Sequence, residues 1–203
     1  MKIQNKMPEA DEQLHLNLVN NDWIPMKEPK SVWAATVLSI PFMLLNAIIS
    51  ISILNVFSTI TLSEFGLSSD SISITINLDV IIWIFSLIIL HELLHLTFIP
   101  NFIKSQKTFI GLTPFGGYVL TEEEILKSRY IVVTIAPFVL ISIILPIVLS
   151  LIGILTPTIK ILILLNAMAS SVDILNVVLL LTQVPRKTIL TNNGTKTYWK
   201  KTT

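Results

Sequence analysis

Four apolar stretches constrain the fold of this chain more than any other feature. A helix needs about 20 apolar residues to cross a bilayer, and the stretches 32–62, 78–99, 130–155 and 159–184 reach that length. Charged residues make up 13% of the 203 residues, against about 25% in an ordinary soluble domain. We therefore predict an all-α polytopic membrane protein with four transmembrane helices.

Positive charge predicts the orientation of these helices. Lys and Arg number four before the first stretch, none between the first and second, four in 101–129, one between the third and fourth, and five after the fourth. Such residues accumulate on the cytoplasmic side of a membrane. We expect a cytoplasmic N-terminal segment at 1–31, a four-span domain at 32–184 and a basic cytoplasmic tail at 185–203, in a multi-pass protein of the cell membrane.

Charge and cysteine content exclude several classes of protein. The net charge of +1 gives no indication of a nucleic-acid partner. The absence of cysteine excludes a disulfide framework, a thiolate metal site and a cysteine nucleophile. The expected partners are the lipid bilayer and a membrane-embedded peptide or protein substrate.

The second stretch contains the sequence His91-Glu92-Leu93-Leu94-His95. Residues four apart share a helix face, so both imidazoles can bind one ion. Two histidines and a carboxylate form a common catalytic zinc set. Glu92, beside the first ligand, is then the candidate general base. The alternative is a structural polar cluster, but ionisable groups at this depth cost roughly 2.5–3.5 kcal/mol each without a partner or a metal.

Asp173, in the fourth stretch, is the candidate third ligand. His91 lies about 13 residues into the second stretch and Asp173 about 14 into the fourth, so both fall roughly 20 Å from the outer edge. Asn166 precedes Asp173 by two helical turns and is a candidate for binding substrate or a ligand carboxylate. The alternatives are a buried proton-carrying or paired carboxylate for Asp173 and an interhelical hydrogen bond for Asn166.

The segment 101–129 is unusually apolar for a loop. Strand-forming residues flank Gly116 and Gly117, which predicts a β-hairpin or a bulged turn within 107–120. Non-helical backbone at membrane depth must be shielded, so we expect a small re-entrant β-hairpin beside the metal site. Its edge would take an extended substrate as an added strand, with Gly116, Gly117 and Tyr118 binding it. The alternative is an interfacial loop with no substrate role.

These motifs together resemble the site-2 protease family of intramembrane zinc metalloproteases, most closely its compact bacterial zincin peptidases. The residues 113–119 are similar to the P-x-G-G-Y-V segment of that family's hairpin, Ile135-Ala136-Pro137 is similar to its A-G-P, and 166–173 is similar to its N-x-x-P-x-x-x-L-D-G. The resemblance covers about 78–184. The chain departs from the family pattern at four positions, which are Ala136, Leu140, Ala169 and Ile174.

The function predicted from these observations is hydrolysis of peptide bonds in membrane-spanning or membrane-associated substrates. Zinc is the predicted cofactor, held by His91, His95 and Asp173, with Glu92 as the catalytic base. One alternative is a transporter or ion-handling protein that uses the same cluster as a proton or metal relay. The other is a catalytically silent immunity or binding protein of the same fold.

Overall fold

The computed structural model describes residues 1–4, 6–59, 61–65, 78–113 and 116–202. Most of the described chain is helical. Seven α-helices are present in these ranges: α1 (Glu12–Asn20), α2 (Val32–Phe57), α3 (Leu78–Phe98), α4 (Lys127–Pro137), α5 (Leu145–Leu151), α6 (Pro157–Ala169) and α7 (Ser171–Gln183).

Four helical segments are long and apolar enough to cross a membrane, which agrees with the four predicted stretches. They are Val32–Phe57, Leu78–Phe98, Lys127–Leu151 and Pro157–Gln183. The first ends earlier than the predicted residue 62, because Ser58 leaves the helix with a φ of −159°. The third begins and ends a few residues before its predicted limits.

The third and fourth of these segments are not regular helices. A π-helical segment, Phe138–Ile144, joins α4 to α5. Proline has no N–H to donate to the carbonyl four residues earlier, and Pro137 and Pro146 stand at the two sides of this segment. In the fourth span, Ser170 separates α6 from α7.

The described chain also contains seven short strands in two sheets, so the all-α prediction is wrong. The first sheet has the order β1-β3-β4 and the second β2-β7-β6-β5. The strands are β1 (Lys2–Ile3), β2 (Ile24–Pro25), β3 (Thr108–Thr113), β4 (Gly116–Thr121), β5 (Ile125–Leu126), β6 (Thr188–Asn193) and β7 (Lys196–Lys201).

Strands β3 and β4 form the predicted hairpin. They pair antiparallel from Thr108 with Thr121 to Thr113 with Gly116, which confirms a hairpin in this segment. Pro114 and Phe115 of the P-x-G-G-Y-V motif lie outside the described residues. Strands β6 and β7 form a second hairpin that the sequence analysis did not predict, although Asn193-Gly194 is a common turn sequence and Gly194 has a φ of +56°.

The two sheets bring three distant parts of the chain to one end of the helices. The first sheet joins β1 to the hairpin, and the second joins β2, the strand β5 before α4, and the C-terminal hairpin. The three segments richest in Lys and Arg therefore lie on the same end of the helical part. At the beginning of α6, Lys160 Nζ instead lies 2.9 Å from Glu64 Oε1.

Candidate metal centre

His91 and His95 lie one turn apart on α3, as the sequence predicts. Their Nε2 atoms are 3.2 Å apart, and the two rings are nearly perpendicular, with an interplanar angle of 74°. Both side chains are largely buried. Two imidazoles therefore direct one nitrogen each to the same point.

Asp173 reaches that point from the first turn of α7. Its Oδ2 lies 3.4 Å from His91 Nε2 and its Oδ1 lies 3.6 Å from His95 Nε2. Ligands about 2.0–2.1 Å from a tetrahedral zinc ion are separated by about 3.3 Å. The three ligand atoms, all within 4.8 Å of one another, match this spacing closely. This donor set fits a zinc ion and leaves the fourth position open.

The second nitrogen of each imidazole binds a hydrogen-bond acceptor. His91 Nδ1 lies 2.9 Å from Asn166 Oδ1, and His95 Nδ1 lies 2.8 Å from the carbonyl oxygen of Val133. A carbonyl oxygen only accepts, so each Nδ1 carries the proton and each Nε2 keeps its lone pair. Metal-binding histidines are typically oriented in this way, which is a second reason why the site fits zinc.

Pro137 explains why the Val133 carbonyl is available to His95. In a regular α-helix this carbonyl would accept the N–H of the residue four positions later. That residue is Pro137, which has no N–H, and the freed oxygen accepts His95 Nδ1 instead. No role was predicted for Val133, although the proline four residues later was a visible signal.

Asn166 lies behind His91 and is 1% exposed. Its Nδ2 donates to Ser142 Oγ at 2.9 Å and to the Pro137 carbonyl at 3.2 Å. Ser142 Oγ in turn donates to the Ile163 carbonyl at 3.3 Å. Asn166 and Asp173 thus contact the two nitrogens of one imidazole, as two residues on a shared face can. The role of Ser142 was missed, since the prolines on the two sides of its segment indicate an irregular helix but not the π-helical form.

Glu92 is 9% exposed and lines the same cavity as the two histidines. Strand β4 of the hairpin covers its side chain. A Cβ added to Gly117 would overlap Glu92 Cγ and would lie 2.8 Å from its Cδ and Oε1. Gly117 therefore gives the hairpin its close approach to the candidate base.

The other hairpin residues occupy different surroundings. Gly116 has a φ of +130° and open space where a Cβ would lie. Tyr118 is 6% exposed, and its hydroxyl donates to the carbonyls of Gln4 at 3.1 Å and Lys6 at 2.7 Å. Tyr118 thus connects the hairpin to the N-terminal segment.

A cavity of about 620 Å³ opens beside these groups. The proposed ligands and Glu92 are among its polar lining residues, and strand β4 forms one wall. Residues from the N-terminal third of the chain contribute to another wall, namely Met7, Val32 and Thr36. Segments outside the helices that carry the sequence motifs therefore also form part of the cavity.

A helical protein with a His–His–Asp site next to a buried glutamate has the features of a zinc-dependent peptidase. The family model described as "Putative zincin peptidase" matches residues 84–189. This range is slightly more than half of the chain and includes His91, Glu92, His95 and Asp173. The chain belongs to this family of zincin-type peptidases, which implies zinc as its metal. No curated protein and no solved structure matches the chain.

Proposed function

We propose that this protein is a zinc endopeptidase of the site-2 protease type that cleaves substrates within the membrane. One observation carries the proposal: His91, His95 and Asp173 converge at zinc-ligand spacing from two helical segments that are each apolar enough to span a bilayer. His91 and Asp173 lie well inside those segments, and His95 lies in the last turn of α3. A soluble peptidase has no need for ligands in such surroundings.

The residues around the cavity have distinct roles in this proposal. A zinc ion held by His91, His95 and Asp173 would polarise a peptide carbonyl and make water more acidic. Glu92 takes the proton of the attacking water and passes it to the departing amine. Its burial beneath strand β4 keeps the carboxylate in one position and limits the access of bulk water.

Strand β4 is the proposed docking edge for the substrate. In the described part of the first sheet β4 is the outer strand, since β3 separates it from β1. It packs against α3, which carries the two histidines and Glu92. An extended peptide paired with this edge would pass the metal site, and Gly116, which has open space where a Cβ would lie, would leave room for it. The hairpin is re-entrant in this proposal, and its substrates are membrane-spanning or membrane-associated peptides that unwind locally.

The proposed orientation places both termini and both sheets in the cytoplasm. Its support is the location of the three basic segments at one end of the helices, because positive residues accumulate on the cytoplasmic side. The protein would then be a multi-pass component of the cell membrane with its active site closer to the cytoplasmic surface.

Metal analysis and peptide cleavage together test the proposed function. We expect about one zinc per purified chain, and cleavage of some members of a panel of transmembrane peptides in proteoliposomes, detected by mass spectrometry. Glu92→Gln is expected to retain zinc and to lose cleavage by roughly 10²–10⁴-fold, because it removes only the base. A chain that binds no divalent metal contradicts the proposal, and metal flux into liposomes without any cleavage would favour an ion-handling protein.

A further inference from the structure

Asn46 is a buried amide in the middle of a largely apolar helix. It is 1% exposed and lies on the face of α2 that packs against α6 and α7. Its Nδ2 donates to the carbonyl oxygen of Ala167 at 3.0 Å. A buried amide is costly unless it is hydrogen-bonded, so this contact strongly favours one arrangement of α2 against α6.

The bonded carbonyl belongs to the segment that holds the metal-site residues. Ala167 follows Asn166, which binds His91, and precedes the turn at Ser170 that ends α6. Asp173 lies in the first turn of α7, directly after this turn. The direction of the chain through Ser170 therefore decides where the carboxylate of Asp173 lies.

A second contact from α2 holds the other side of the same turn. Ser171 Oγ donates to Ser39 Oγ at 3.2 Å. Ser39 precedes Asn46 by two helical turns and lies on the same buried face. Helix α2 thus contacts the chain immediately before and immediately after the break between α6 and α7.

We propose that Asn46 is a positioning residue for the metal centre, acting through Ala167 on the turn that sets the places of Asn166 and Asp173. This inference rests on the proposed zinc site. It extends that site to α2, which lies outside the family-matched residues 84–189. Metal ligands must be held within about 0.5 Å of their productive positions. Asp173 follows a break in its helix, so contacts from neighbouring helices must hold its carboxylate in place.

Asn46→Leu tests the inference, with Ser50→Ala as a matched control. Leucine has a similar branched shape, although it is larger, and it has no donor for the Ala167 carbonyl. Ser50 lies one turn further along the same buried face, is 0% exposed, and its hydroxyl has no hydrogen-bond partner within the described chain. The control therefore removes a buried hydroxyl from the same helix interface without removing a contact to the turn.

The measurement is zinc affinity by chelator competition on the purified full chain, together with the visible spectrum of the Co²⁺-substituted protein. We expect Asn46→Leu to bind zinc about tenfold more weakly, as loss of outer support commonly does, and to change the Co²⁺ bands that report ligand geometry. Ser50→Ala is expected to match the wild type. If Asn46 only stabilised the fold, Asn46→Leu would lower the melting temperature of the metal-free protein and leave the Co²⁺ spectrum unchanged, and that result would overturn the inference.

The outcomes separate this inference from the proposed function. Wild-type zinc affinity and an unchanged spectrum in Asn46→Leu overturn the inference while the zinc site stands. A wild-type chain that binds no metal overturns the proposed function and the inference with it. If Asn46→Leu does not fold, Ser39→Ala replaces it: weaker zinc binding in that variant supports the role of α2 at the turn, and unchanged binding overturns it.

Discussion

Gly117 lies against the side chain of Glu92, so that any Cβ at position 117 would overlap Glu92 Cγ. Because Gly117 has no side chain, strand β4 can lie directly against Glu92, the candidate base. Gly117 is not required for an unusual backbone angle, since a left-handed φ occurs at Gly116 and not at Gly117. The close approach alone accounts for glycine at this position.

Replacing Gly117 with alanine is expected to reduce cleavage strongly while zinc stays bound. The added methyl group must displace either Glu92 or strand β4, and small displacements of a catalytic group can cost about 10²-fold in rate. Activity on a cleaved transmembrane peptide and zinc content are the two measurements. Leu112→Ala is the control, because Leu112 faces Gly117 across the hairpin and is 46% exposed. Equal loss of activity in both variants would argue against a specific Gly117–Glu92 contact.

The effect of a substitution at Asn166 on zinc affinity should depend on the new side chain. A side chain that still accepts a hydrogen bond from His91 Nδ1 should preserve more of the affinity than one that does not. Asn166→Leu removes the acceptor of the Nδ1 proton, and we expect zinc binding roughly 10–100-fold weaker. Asn166→Asp keeps an oxygen acceptor and is expected to bind zinc more tightly than Asn166→Leu. Chelator competition measures both affinities. Equal affinities in the two variants would contradict the orienting role of Asn166.

Pro137→Ala tests whether the missing N–H of Pro137 matters to the metal site. The new N–H would compete with His95 for the Val133 carbonyl, so we expect zinc affinity to fall by several-fold to about tenfold. Pro41→Ala is the matched control, because Pro41 also lies inside an apolar helix, and Val37, four positions before it, is exposed. If both variants bind zinc as the wild type does, the His95–Val133 contact does not depend on the proline.

Glu28 is expected to make the stability of the second sheet depend on pH. Burial raises the pKa of the Glu28 carboxyl, although Thr197 N–H donates to it at 2.9 Å. The folded protein then holds a proton that the unfolded chain releases, so stability decreases as the pH rises above about 4.5. Relative to the wild type, Glu28→Gln should become more stable as the pH increases from 4 to about 7, measured as melting temperature in detergent. Glu9→Gln, at an exposed position, should show no such trend, and parallel curves for Glu28→Gln and the wild type would contradict the prediction.

Local sequence features correctly predicted the features that depend on local geometry. Apolar length predicted four helices long enough to span a membrane, and the four-residue spacing of His91 and His95 predicted their shared face. Matching depth predicted that Asp173 reaches both histidines, and the glycine pair predicted the hairpin. These inferences use apolar length, helical spacing, depth within a stretch and turn-forming residues, and so need no knowledge of how the segments pack.

Only the tertiary structure decided which groups support those residues. Strands of two residues, such as Ile24–Pro25 and Ile125–Leu126, exist through pairing with the C-terminal hairpin and have no periodicity of their own to detect. The Val133 carbonyl, Ser142 and Asn46 likewise gain their roles from neighbours distant in sequence. The sequence determined the spans and the candidate ligands because their chemistry is local, whereas packing decided how those ligands are held, because hydrogen bonds between segments depend on the approach of whole helices and strands.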